Sequence, residues 1–166
     1  MGVHVAAAHA EHVKGRTVLV AVDGSPAADA AIAAGLELAA ALGSPLRFIH
    51  AASPVAERLF RENVENGPTA DQIVADDPVL ADALQRARDA GVEAGVELVG
   101  GEGHTGDLAA LIAGTADGLD AGVIVCGSRG RGSVSGAVLG SVSHNLIRYA
   151  AVPVLIVHAP NGTAQA

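Results

Sequence analysis

Between Cys126 and Val142 the chain sets small residues at a spacing that suits an anion. Gly127 and Gly130 are followed, after nine intervening residues, by Gly140 and Ser141, with Gly132 and Gly136 inside the interval. The apolar run Val123–Cys126 reads as a strand that stops at Gly127, and Ser141–Ala150 reads as a helix. A strand, a glycine-rich loop and a helix start together offer free backbone N–H groups and the positive end of a helix dipole. Ser141 adds a hydroxyl, and Arg129 and Arg131 stand in the same loop. The chemistry implied is capture of a nucleotide's phosphates.

Three familiar loops do not fit this spacing. A P-loop needs a lysine between its last glycine and the Ser or Thr, and Gly140 is followed directly by Ser141. A dinucleotide fingerprint needs G-x-G-x-x-G and an acidic residue about 20 positions on, and no acidic residue follows Gly136. In Cys126-Gly127-Ser128-Arg129-Gly130 the first glycine stands one place late for a hydrolase elbow. Other chemistry-bearing residues are sparse. Asp23 has two readings: it orders a turn before a helix, or it meets a ribose hydroxyl or a metal near phosphates. Cys126 reads as a small buried hydrophobe rather than a nucleophile, since no histidine is placed to activate it. His50 falls in a strand as a core or rim histidine. His144, one turn inside the last helix, is positioned to face a crevice. Neither has a partner that would make it catalytic. His4, His9 and His12 lack companions for a metal site.

The elements that must position these residues alternate. Thr17–Val22 is a β-branched run suited to a buried parallel strand. Asp23-Gly24-Ser25-Pro26 follows, with Ser25 as N-cap and Pro26 as first helical residue of a helix to Leu42, stopped by Gly43. That helix carries Ile32, Leu36 and Ala39 on one stripe. Leu46–Ala51 is a second strand. Residues 55–78 are polar and acidic and read as an irregular excursion with at most a short helix. Val79–Gly91 is helical, Val96–Val99 a third strand, and Gly106–Leu119 a helix with Leu108, Leu111, Ile112 and Thr115 as its stripe. Gly122–Cys126 is the fourth strand and Pro153–His158 the fifth. Such alternation predicts an α/β fold, an open five-stranded parallel sheet with helices on both faces. Ligands of such sheets lie beyond the strands' carboxyl ends where the order reverses, so order 3-2-1-4-5 brings Asp23 and Gly127 to one crevice.

Composition agrees. The chain has 166 residues, half of them hydrophobic but only 2% aromatic, so Val, Leu, Ile and Ala must build the core. Residues 15–158 read as one domain between an N-terminal tail, 1–14, and a C-terminal tail, 159–166. The first residues carry no basic-then-apolar pattern and no stretch approaches ~20 apolar residues, so neither a secretory signal nor a membrane span is expected. One cysteine fits a reducing cytoplasm. The net charge of −8 concentrates in residues 57–107, which hold 12 acidic and 4 basic residues. That stretch argues against a general nucleic-acid binder and reads as a solvated surface.

The full spacing Gly127, Gly130, Gly140-Ser141 matches G-x2-G-x9-G-[ST], and the chain thereby resembles the nucleotide-binding universal stress proteins. VLVAVDGS at Val18–Ser25, RFIHA, VIVCGSRGRG and GSVSHNLIRYAAVPVLIV fall in that family's order, over Thr17–Val157. The resemblance implies the same sheet order, of the adenine nucleotide alpha hydrolase-like kind. It also implies ATP, or ADP or cyclic AMP, as ligand, with Mg2+ brought by the nucleotide. Asp23 would lie near the ribose or metal, Ala21, Val22 and Ala51 would line the base pocket, and Cys126 would sit against the nucleotide. Gly127, Gly130, Gly140, Ser141 and Val142 would contact ribose and phosphates, largely through backbone, with Arg129 adding charge. A homodimer through strand 153–158 is implied too, and a stress-response sensor or regulator with slow or no hydrolysis, there being no evident general base or lysine clamp. Two other classes remain open. One is an ATP-using enzyme of the same fold, although Asp23-Gly24-Ser25-Pro26 stands where S-G-G-x-D-S would be needed. The other is an interaction module holding no nucleotide.

Overall fold

The computed structural model describes residues 13–51, 70–100, 107–130 and 139–159. Five strands form one parallel sheet: β1 (Thr17–Val22), β2 (Leu46–Ala51), β3 (Ala94–Val99), β4 (Ala121–Gly127) and β5 (Val154–Val157). The order is β3-β2-β1-β4-β5, as the sequence predicts. β1 is central, pairing Val18–Val22 with Leu46–His50 on one side and Val18–Val20 with Val123–Val125 on the other. The sheet order therefore reverses between β1 and β4.

Among the described residues five helices accompany the strands: α1 (Pro26–Leu42), α2 (Ala70–Asp76), α3 (Pro78–Asp89), α4 (Leu108–Gly118) and α5 (Ser141–Tyr149). Alternate strand residues feed two cores, one on each face of the sheet. Val18, Val20 and Val22 of β1 pack with Ile32 and Leu36 of α1 and Leu80 and Ala83 of α3. Leu19 of β1 and Ile124 of β4 pack on the other face with Ile112 of α4 and Leu146 of α5.

α1 begins and ends where its sequence signals stand. Ser25 Oγ accepts from the Ala28 N–H at 3.2 Å, Pro26 opens the helix, and Gly43 closes it at φ 60°. Within it, a Cβ on Gly35 would lie 2.5 Å from Val20 Cγ2, so glycine lets α1 lie close against β1.

Three details depart from the sequence reading. The short helix read within 55–78 is α2, but α3 starts at Pro78 rather than Val79, because Asp77 caps it through Val79 and Leu80 N–H at 2.9 and 3.2 Å. Residues 52–69 lie outside the described ones. The buried face of α4 is Ala109, Ile112, Ala113 and Ala116, not the stripe through Leu111 and Thr115. Alanines let α4 approach the sheet closely, and close packing outweighs side-chain size in choosing the buried face. Of the stretch read as an N-terminal tail, Val13 is buried and its carbonyl accepts from Ser44 Oγ at 3.3 Å, while residues 1–12 lie outside the described ones.

Candidate functional site

The strands' carboxyl ends open into a cleft of about 640 Å³. Every residue named above as a ligand contact lines it: Ala21, Val22 and Asp23 after β1, Ala51 at the end of β2, Cys126 and Gly127 of β4, Arg129 and Gly130, and Gly140, Ser141 and Val142. Its apolar part includes Ala21, Ile49, Ala51, Val99, Leu108, Ile112, Cys126 and Val142. Such a mixture, an apolar pit beside a polar ridge, is the ordinary make-up of a small-molecule site.

The ridge is built from two loops tied together. Asp23 Oδ1 accepts from the Ser25 N–H at 2.9 Å, which makes the turn between β1 and α1 with Gly24 at φ 75°. The turn reading of Asp23 thus holds, yet its other oxygen is not spent there: Oδ2 lies 2.8 Å from where a Cβ on Gly130 would stand. Ser25 caps α1 and also donates its hydroxyl to the Arg129 carbonyl at 3.3 Å. Gly127 has a packing reason as well, since a Cβ there would fall 2.8 Å from the Ala27 carbonyl carbon.

Beyond β4, Ser128 is the knot. Its N–H donates to Val157 O at 2.7 Å, and its carbonyl accepts from Gly140 N at 2.7 Å and Ser143 Oγ at 3.1 Å. The two ends of the loop are thereby closed on one another, while Arg131, Gly132 and Gly136 within it lie outside the described residues. The Gly140 N–H is committed to Ser128, so this glycine serves the loop's closure rather than donating to a ligand. The first turn of α5 follows directly on Gly140, and its Ser141, Val142 and Ser143 line the cleft. Ser25, Asp77 and Asp107 each cap their helices, whereas α5, with Gly140 at its N-cap, has no side-chain cap. An uncapped first turn keeps its donors and its dipole for an anion.

Cys126 is buried, and burial pushes its thiol up to about 11, so it stays protonated and inert. His144 is exposed and is not in the cleft lining; Ser143 and Val142 of the same helix face the cleft instead. Among the described residues, no group of three or more His, Cys, Asp or Glu is arranged to hold a metal.

Sequence reasoning passed over Asp77, Pro78 and Val79, which line the cleft from the start of α3, and saw no partner for His50. His50 Nε2 is 3.3 Å from Asp77 Oδ2. The signal was present: Asp77-Pro78 is an N-cap followed by a first-turn proline, as Ser25-Pro26 is. Asp107 was missed as well. Its Oδ1 caps α4 and its Oδ2 accepts from Asn145 Nδ2 at 2.7 Å, which fixes α5 against α4.

The sequence profile of the Universal stress protein family matches residues 15–158. The chain belongs to the universal stress protein family. Universal stress protein Rv2623 of Mycobacterium tuberculosis is 32% identical over 143 residues, 85% of this chain and 47% of that protein, so the chain spans about half the length of this relative. The solved structure of hypothetical protein MJ0577 superposes with a TM-score of 0.69 at 20% identity, covering 90% of this chain and all of that one, a likeness of fold. A universal stress protein solved in complex with cAMP superposes at 0.62 with 27% identity, covering 89% of this chain and 99% of that one.

Proposed function

We propose that this universal stress protein domain binds an adenine nucleotide, ATP foremost, in the cleft at the β1–β4 reversal. In this reading the nucleotide regulates or reports rather than being consumed. The observation that carries it is the uncapped first turn of α5 opening on the same cleft as an apolar pit and the glycines of the signature. The phosphates would lie against the N–H groups of Ser141 and Val142, with the Arg129 guanidinium beside them. The apolar pit, including Ala51 and Cys126, would take the base, and the second oxygen of Asp23 would face a ribose hydroxyl or a Mg2+ carried by the nucleotide. The cAMP complex of a relative supports the ligand class. Among the described residues no lysine stands in the lining to clamp the phosphates, which favours slow hydrolysis or none. The cytoplasm is the compartment proposed, from the single cysteine.

A second copy of the chain is the proposed partner. β5 is an edge strand, and the large apolar side chains exposed among the described residues, Ile147, Tyr149 and Leu155, all lie on α5 and β5. Titration calorimetry with ATP, ADP and cyclic AMP, each with and without Mg2+, tests the ligand. Heat of binding to at least one of them is expected; a flat trace for all three favours an interaction module.

A further inference from the structure

Asp77 presents a carboxylate to the cleft from the head of α3, and it is held there from several sides. Its Oδ1 accepts from the backbone N–H of Val79 at 2.9 Å and of Leu80 at 3.2 Å. Its Oδ2 lies 3.3 Å from His50 Nε2. His50 is fixed in turn. Its Nδ1 is 2.8 Å from Val22 O, and because a carbonyl only accepts, Nδ1 donates there; Nε2 donates to Asp77 Oδ2 in the imidazolium form, which carries a proton on both ring nitrogens. The imidazole therefore bridges the end of β1 and the head of α3 from its own place on β2. Only 12% of its side chain is exposed.

A carboxylate has about four acceptor sites. The α3 backbone occupies those of Oδ1, and His50 engages one side of Oδ2. Among the described residues the other side of Oδ2 stays available, on a residue that lines the cavity and whose side chain is 26% exposed. A carboxylate oxygen only accepts, so it has no donor for a phosphate and rewards an N–H or O–H group. The cleft is thus divided: anion at the first turn of α5, neutral donors toward Asp77.

We propose that Asp77 is a specificity-determining residue of the cleft, its Oδ2 accepting a hydrogen bond from a donor on the nucleoside part of the ligand, with His50 as the positioning residue that holds it. This rests on the nucleotide reading above. Two groups share the required chemistry, a ribose hydroxyl and the exocyclic amine of the base.

The test compares binding of ATP, 2′-deoxy-ATP and inosine triphosphate by calorimetry, using the full chain. Asp77→Asn and Asp77→Ser both retain an N-cap oxygen for α3, so the fold is preserved, and melting curves check this. Asn replaces the second oxygen by a donor, and Ser has no second oxygen at all. In the wild type, one of the two analogues binds more weakly than ATP by about tenfold or more, the weight of a hydrogen bond to a charged group. A deficit for 2′-deoxy-ATP assigns the ribose, and one for inosine triphosphate the amine. Both variants lose that preference, and His50→Phe, which leaves Asp77 in place but unheld, lowers it in the same direction. Equal binding of all three by the wild type, or wild-type preferences retained in both Asp77 variants, overturns the proposal while leaving nucleotide binding standing. A wild type that binds none of the three overturns both readings together.

Discussion

The glycines of one signature do different work. A Cβ at Gly127 would meet the backbone of Ala27 at 2.8 Å, and a backbone cannot step aside. Gly127→Ala should therefore lower stability by about 1–3 kcal/mol, the usual cost of overpacking, read from denaturant unfolding. Gly130 is exposed and its φ is not left-handed, and the atom a side chain would meet is Asp23 Oδ2, the free end of a movable side chain. Gly130→Val should leave the melting temperature nearly unchanged but weaken ATP binding by at least about tenfold, by filling the approach to the ridge. Equal affinity in wild type and variant would place the phosphates elsewhere. Cys126 makes a third case. Its thiol is pushed up to about 11 by burial, above the ~8.5 of an exposed thiol. A raised value means that the folded chain holds its proton longer than the unfolded chain. The associated stability is complete below about pH 8.5 and is lost as the pH rises through about 11. Unfolding midpoints measured from pH 8 to 11 should fall more for the wild type than for Cys126→Ala.

At the scale of elements, the helix starts govern the site, because parallel strands bring them all to one end of the sheet. Ser25 shows how closely folding and site are joined: one hydroxyl oxygen caps α1 and donates to the Arg129 carbonyl. Ser25→Ala should cost about 1 kcal/mol from the lost cap. It should also loosen the Arg129–Gly130 turn, so that nucleotide affinity falls beyond what the change in stability explains. Calorimetry well below the melting temperature separates the two effects. The same elements show what the chain's pattern discloses. Short β-branched runs, Ser25-Pro26 and Gly43 speak through local chemistry, and strand order follows from their alternation, so β1, α1 and the glycine ridge were legible. The buried face of α4 was not. Periodicity weights Leu111 above Ala113, whereas tertiary packing selects the alanines. The Asp77–His50 contact joins residues 27 apart in sequence and appears only once β2 and α3 are in place. The Gly140–Ser128 bond depends likewise on how the loop closes.

For the whole molecule the argument concerns an edge. β3 and β5 end the sheet, and an uncovered strand presents a row of unpaired N–H and C=O groups. β5 is four residues long and three of them are half-buried, with Leu155 41% exposed. Ile147 and Tyr149 of α5 are 56% and 46% exposed. An isologous two-fold contact would let β5 meet its own copy, so one substitution acts twice at the interface. Leu155→Asp places two carboxylates close together where apolar surface would be buried, at a cost that association cannot easily repay. Leu155 is 41% exposed in the single chain, so the fold itself should survive the change, with a melting curve at low concentration to check it. Light scattering after size exclusion should give twice the 16.4 kDa chain mass for the wild type and the single chain mass for Leu155→Asp. A variant that remains a dimer would move the contact to another face. Because β5 holds Ser128 through Val157 O, a dimer on this strand would also stiffen the base of the loop, and the wild type should bind nucleotide more tightly than the monomeric variant.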